Sequence, residues 1–198
     1  SLTAKKSWFF FDDTIVFLTN SITCTSGNRV ETVVDQRPSW ATPIRYSFYG
    51  HSPRIEQITR TGTWAALGGS TDNAPHTATF QTIWFDHGTN PAGDHVEYAI
   101  SPGPLVFPPT IVANDATASA VRAGNMLGIV FWKPGLVEGI QSDAPAVVYL
   151  IDRDIYVADP TNGVGTFTIT VGSRTLTVPR NGGRTFHAAL GGRRRAAR

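Results

Sequence analysis

The chain has 198 residues and a formal net charge of +2, with 16% charged residues against 41% hydrophobic ones. This length supports one large domain or two small ones with a sizeable core. Sparse charge beside plentiful Gly, Pro, Thr and aromatics is an all-β profile. Arg193, Arg194, Arg195 and Arg198 fall in the last eight residues, which leaves the body about two charges negative and argues against a nucleic-acid binder, whose basic residues form a face on the fold. Cys24 is the single cysteine, so no intrachain disulfide forms, and it reads as a small buried hydrophobe rather than a reactive thiol. No run reaches the length of a membrane-spanning helix, and Ser1 opens no signal peptide, so the secretion signal of a secreted parent would lie upstream.

The first element is the stretch Lys6-Ser7-Trp8-Phe9-Phe10-Phe11-Asp12-Asp13-Thr14-Ile15-Val16-Phe17-Leu18. Trp8 to Phe11 carries bulk on both faces, which predicts a strand covered on both sides. Asp12-Asp13 is the turn, since Asp stabilises tight turns by bonding nearby backbone. Thr14 to Leu18 is the β-branched return strand. So large an apolar investment at the start implies a chain that begins inside a larger protein. A Ser/Thr/Gly/Asn-rich loop is expected over Thr19 to Asn28. Arg29 to Asp35 then alternates, with Val30, Thr32 and Val34 on one face and Glu31, Val33 and Asp35 on the other. Pro38, without an amide proton, ends its ladder.

Short strands such as Arg45 to Tyr49 follow, broken by Pro43, Pro53 and glycines. Thr77 to Phe85 alternates again and runs into Asp86-His87-Gly88-Thr89-Asn90-Pro91, a turn by composition. Val96 to Ser101 is the strand leading back. Pro102, Pro104, Pro108 and Pro109 mark the clearest boundary. Beyond it, Ile111 to Arg122 is the one region with much helix-compatible sequence. Strands are expected at Leu127 to Trp132, Ala146 to Asp152, Asp154 to Ala158, Gly165 to Val171, Arg174 to Val178 and Arg184 to Ala189. Gly/Asn/Asp turns separate them, which is the pattern of a small antiparallel sandwich. Residues 191–198, two glycines and an Arg-rich tail, are expected to be disordered.

Several of these segments together carry a resemblance. "KSWFFFDDTIVFL" followed by "ETVVDQRP" resembles the β-sandwich region of the family 8 polysaccharide lyases, which include hyaluronate, chondroitin AC and xanthan lyases. Gly62-Thr63-Trp64-Ala65-Ala66-Leu67-Gly68 is similar to the family's G-T-W-A-x-I-N segment, with Gly68 where Asn is common. Phe80, Asp86-His87-Gly88, Pro91, Tyr98 and Pro102 follow its most specific pattern. Leu127-Gly128-Ile129-Val130-Phe131-Trp132 and Val157 to Thr161 resemble pieces of its C-terminal domain. The motifs stand in the family's order across residues 5 to 190.

The resemblance implies an all-β fold: the end of the lyase central super-sandwich over residues 1–108, then a small C-terminal β-sandwich over 109–190. It also implies a secreted, extracellular parent. In such lyases an Asn neutralises the uronate carboxylate and acidifies the C5 proton. A His/Tyr pair then abstracts that proton and protonates the leaving oxygen, with an Arg assisting. Those residues lie on an α/α-toroid preceding the sandwich, and no position here matches them, so no catalytic residue is assigned in this chain. Polysaccharide and the toroid are the implied partners, with no nucleic acid, membrane, cofactor or metal.

Read residue by residue, the candidates are modest. His87 between Asp86 and Gly88 offers a general base, but a loop-holding histidine is the better reading, because adjacent strand residues point apart and Asp86 is poorly placed to orient it. His51, His76, His95 and His187 are scattered, without metal-ligand spacing. Asp12-Asp13 serves as a calcium pair only if other carboxylates such as Glu31 or Asp35 converge on it; the turn reading is preferred. Asp143, Asp152, Asp154 and Asp159 read as turn residues. Trp40, Trp64, Tyr46 and Tyr49 offer sugar stacking or core packing. Arg37, Arg45 and Arg54 offer bidentate uronate contacts or structural ion pairs. The rival readings are a free-standing carbohydrate-binding module and a purely structural sandwich of a surface or capsid protein.

Overall fold

Asp12-Asp13 turns the chain between β1 (Leu2–Phe11) and β2 (Thr14–Cys24), placing Phe11 opposite Thr14 and Trp8 opposite Phe17. The computed structural model describes residues 1–42, 44–104 and 108–191. The chain continues with β3 (Arg29–Pro38), β4 (Arg45–Tyr49), β5 (Arg54–Gly62), one helical turn α1 (Trp64–Leu67), β6 (His76–Thr89) and β7 (Ala92–Ser101). After the prolines come β8 (Thr110–Asn114), β9 (Ala118–Ala123), β10 (Met126–Phe131), β11 (Gly135–Val137) and β12 (Ile140–Ser142). The last are β13 (Ala146–Ile151), β14 (Asp154–Ala158), β15 (Thr166–Val171), β16 (Arg174–Pro179) and β17 (Phe186–Ala189).

These strands form four antiparallel sheets, ordered β1-β2-β7-β4, β3-β6-β5, β17-β14-β13-β10-β9-β8 and β11-β12-β15-β16. Three apolar clusters glue them into layers. Ile22, Cys24, Val96 and Tyr98 of the first sheet meet Val30 and Phe85 of the three-stranded one. Phe9, Phe11, Val16, Leu18 and Ala99 of the first sheet meet Val121 and Ala123 of β9. The largest core lies between the six-stranded sheet and the last one, where Leu127, Ile129, Phe131, Val148, Ile155 and Val157 face Ile140, Phe167, Ile169, Leu176 and Val178. The first and six-stranded sheets are therefore the inner layers, each packed against neighbours on both faces, the first sheet only in part.

The expected all-β architecture stands, and five local expectations need correction. The segment 111–122 is not helical: it is the hairpin β8–β9, with Asp115 Oδ1 accepting from the amides of Thr117 and Ala118 in its turn. Its small residues are explained by burial on both sides, Ala118 and Ala120 toward one core and Val121 and Ala123 toward the other. The helical turn lies instead at α1, where Thr63 Oγ1 accepts from the Ala66 amide.

The segment 19–28 is not a loop throughout, because β2 continues to Cys24. Its polar residues are used: buried Asn20 donates from Nδ2 to Asn114 Oδ1 and Ser119 Oγ. Asn114 donates in turn to the Thr19 carbonyl and Glu97 Oε1. The register of β2 slips between Thr19 and Ile22, with Ser21 at φ 55°. That bulge changes which parity faces inward, so Val16 and Leu18 face the six-stranded sheet while Ile22 and Cys24 face the three-stranded one.

Similarly, 86–91 is not all turn, since β6 runs to Thr89 and only Asn90-Pro91 separates it from β7. β1 is an edge strand rather than one covered on both sides: Phe9 and Phe11 are buried, whereas Trp8 and Phe10 are 53% and 67% exposed. Finally, β11 and β12 lie where no strand was expected. Of the expected disordered tail, residues 192–198 lie outside the described residues, as does Pro43.

Candidate functional site

Several titratable side chains gather where β6, β7 and the end of β4 meet. His87 lies on β6 with Phe85, facing the first sheet, and its side chain is 2% exposed. Its Nδ1 lies 2.7 Å from Asp94 Oδ2 on β7, and its Nε2 lies 2.8 Å from Thr32 Oγ1 on β3. Asp94, not Asp86, orients this ring. With both nitrogens engaged and its side chain nearly buried, His87 ties three strands together. Asp94 Oδ1 also accepts from the His95 amide. Burial raises the Asp94 pKa, but the bonds to His87 and to the His95 amide outweigh it and hold the carboxyl below its usual value.

The histidines that look scattered in sequence are partly gathered here. β4 pairs with β7, Tyr49 opposite Glu97, so His51 just beyond β4 comes beside His95. Their rings lie 4.8 Å apart, and one donor atom each from His51, Asp94 and His95 falls within 4.8 Å of the others. No sequence spacing reveals this, because it depends on two strands becoming neighbours across the sheet. His76 and His187 lie elsewhere, each with one carboxylate, Asp72 and Asp154 respectively.

The arginine candidates are mostly engaged within the fold. Arg29 Nε and Arg54 Nη2 meet Asp86 at 2.9 and 2.8 Å, and Arg29 holds that carboxyl well below the usual range. Arg37 pairs with Asp35, which also accepts from the Tyr46 hydroxyl. Burial, reinforced by that carboxylate, pushes the Tyr46 pKa up to about 12. Arg45 lies exposed at the start of β4, opposite Ser101. Asp12 and Asp13 stay in the hairpin turn, where Asp13 Oδ1 accepts from Thr14. Asp35 is committed to Arg37 and Tyr46 and does not join them.

The aromatic candidates divide. Tyr49 packs against the cluster joining the first and six-stranded sheets, and Trp40 is 80% exposed beyond β3. Trp64 is more suggestive. With Leu67, Phe80, His76 and Arg60 it lines a groove of about 390 Å³ along β5, β6 and α1. A half-exposed indole on an apolar floor beside a guanidinium offers a stacking face and a carboxylate partner.

The chain is similar to known proteins along nearly its whole described length. Residues 1–45 and 38–105 match the polysaccharide lyase family 8 super-sandwich domain, and residues 110–176 match the family 8 C-terminal beta-sandwich domain. Xanthan lyase of Bacillus sp. (strain GL1) is 29% identical over 184 residues, covering 67% of this chain and 20% of that protein. Hyaluronate lyase of Thermasporomyces composti is 27% identical over 221 residues, covering 86% of this chain and 28% of that protein. Among solved structures, Paenibacillus xanthan lyase superposes with a TM-score of 0.86 at 28% identity, covering 97% of this chain and 26% of that one. Streptomyces coelicolor A3 chondroitin AC lyase in complex with chondroitin sulphate gives 0.80 at 26% identity, over 94% of this chain and 32% of that one. The chain thus spans less than a third of the curated relatives it matches. With both β domains matched in order and the fold shared with two of its lyases, the chain belongs to polysaccharide lyase family 8.

Proposed function

We propose that this chain is the C-terminal β portion of an extracellular polysaccharide lyase. The parent cleaves a uronate-containing polymer of hyaluronan, chondroitin or xanthan type by β-elimination. In this reading residues 1–108 are the distal part of the central sandwich and 109–190 the small terminal one. They support an α/α-toroid that carries the catalytic residues and close one side of its cleft. Catalysis is assigned to no residue here, and no cofactor, nucleic acid or membrane partner is invoked. Among the described residues no helix is long and apolar enough to cross a membrane.

The observation that carries this reading is the ordered match of both β domains. The engaged state of His87 supports it, since a proton-transferring histidine needs access to substrate. The test is to incubate the 198-residue chain with hyaluronan, chondroitin and xanthan and follow the ultraviolet absorbance of unsaturated uronides. No product is expected. Product formed by the purified chain overturns the assignment of catalysis to the toroid.

The groove at Trp64 favours a second reading, a carbohydrate-binding module. Under it, the chain binds polysaccharide on its own, and Trp64→Ala abolishes retention on a polysaccharide-loaded affinity gel. Under the first reading the isolated chain shows no such retention.

A further inference from the structure

We propose that His51, Asp94 and His95 form a binding site for a divalent transition-metal ion, with Zn2+ the best match to their donors. The inference rests on the local geometry alone and not on the lyase reading.

Two imidazoles and one carboxylate are a donor set that zinc accepts readily, with a fourth position left for water. The three donor atoms lie within 4.8 Å of one another. Four-coordinate zinc with bonds of about 2.0–2.2 Å brings its donors to about 3.3 Å from each other. The remaining approach is made by rotating the rings of His51 and His95, both exposed.

The third donor is fixed. Asp94 is held at Oδ2 by the buried ring of His87, whose far nitrogen is anchored on Thr32. A buried outer partner that orients a ligand is what metal sites use to set ligand direction. The backbone is fixed as well: the His51 amide bonds the Tyr49 carbonyl at 2.9 Å across Gly50, which sits at φ 74°. That turn delivers His51 over the edge of β7. An ion bound here joins the β4–β5 connection to β7, and its binding free energy adds to the stability of the first sheet.

The fold supplies its own controls. His76 with Asp72 and His187 with Asp154 are exposed His–Asp pairs that gain no third donor among the described residues. The experiment is isothermal titration of the metal-free 198-residue chain with ZnCl2 near neutral pH, paired with thermal melts with and without the metal. The expected result is saturation at one ion per chain and a melting temperature that rises with zinc. His51→Ala and His95→Ala each weaken binding by at least about tenfold and lose the thermal rise, while His76→Ala and His187→Ala bind like the parent. Both ligand variants alter exposed side chains, so circular dichroism matching the parent shows that the fold is kept. Absence of saturable binding overturns the proposal. So does binding that survives in both His51→Ala and His95→Ala.

Discussion

Asp159 is a carboxylate almost without water: its side chain is 1% exposed. It accepts from the Thr161 hydroxyl at 2.7 Å, from the amides of Thr161 and Gly163 at 3.0 Å, and from Arg180 Nη1 at 3.0 Å. These bonds, the Thr161 hydroxyl foremost, lower the carboxyl from 3.8 to about 2 against the opposing effect of burial. A carboxylate depressed in the folded state stabilises the fold fully above its unfolded value and loses that contribution as pH falls. Melting temperature should therefore decline as pH drops from 3.8 toward about 2. Asp159→Asn should melt several degrees lower at neutral pH and show a shallower decline across that window, checked by calorimetry over the pH series. What reads in sequence as an ordinary turn residue is thus the organising acceptor of the loop after β14. His87 plays the equivalent part between the three-stranded sheet and the first one. His87→Leu removes a hydrogen-bond partner from both Asp94 and Thr32, and should cost about 2 kcal/mol in urea unfolding for the two bonds lost. His87→Gln, which keeps a polar terminus, should cost less.

At the scale of elements, β1 and β10 meet closely at a glycine. A Cβ at Gly128 would stand 2.5 Å from Phe9 Cδ1 and 3.0 Å from its Cε1. Gly128 is therefore the socket into which the opening hairpin sets a ring. Gly128→Ala should destabilise by about 1–3 kcal/mol through overpacking, and Phe9→Ala by about 3–5 kcal/mol through the cavity it leaves. In the double variant the glycine substitution should cost little, because its obstacle is gone. A double-mutant cycle in urea reads that coupling, and additive losses would mean the two residues do not meet. This joint also shows what the sequence makes legible. The hairpin at Asp12-Asp13 and the strands at Arg45–Tyr49 and Asp154–Ala158 are readable because turn residues and alternation are local signals. β9 is misread because a strand buried on both faces has no alternation, and its alanines suit a helix as well as two close-packed layers. The end of β2 is misread because Asn20 is polar for a partner, Asn114, supplied by a distant strand. For the same reason Asp94 goes unnoticed as the partner of His87, and His51 as the neighbour of His95.

The whole molecule is a stack of layers with one side of an inner layer incompletely covered. In the first sheet, β1 and β4 are both edges, and β1 carries Trp8 and Phe10 toward the face that the three-stranded sheet covers further along, over Phe17 and Tyr98. Alternation puts Phe9 and Phe11 into the joint with the six-stranded sheet and leaves these two rings outside. An unpaired strand edge flanked by exposed aromatics is a template for association. The isolated chain should therefore self-associate with rising concentration, measured by size-exclusion chromatography with light scattering. Replacing both rings, Trp8→Lys with Phe10→Lys, should return it to a monomer. Stability should change by no more than about 0.5 kcal/mol, as for other exposed positions. If the unaltered chain stays monomeric at high concentration, the face at β1 is stable in water by itself, and the carbohydrate-binding module becomes the better account of the chain.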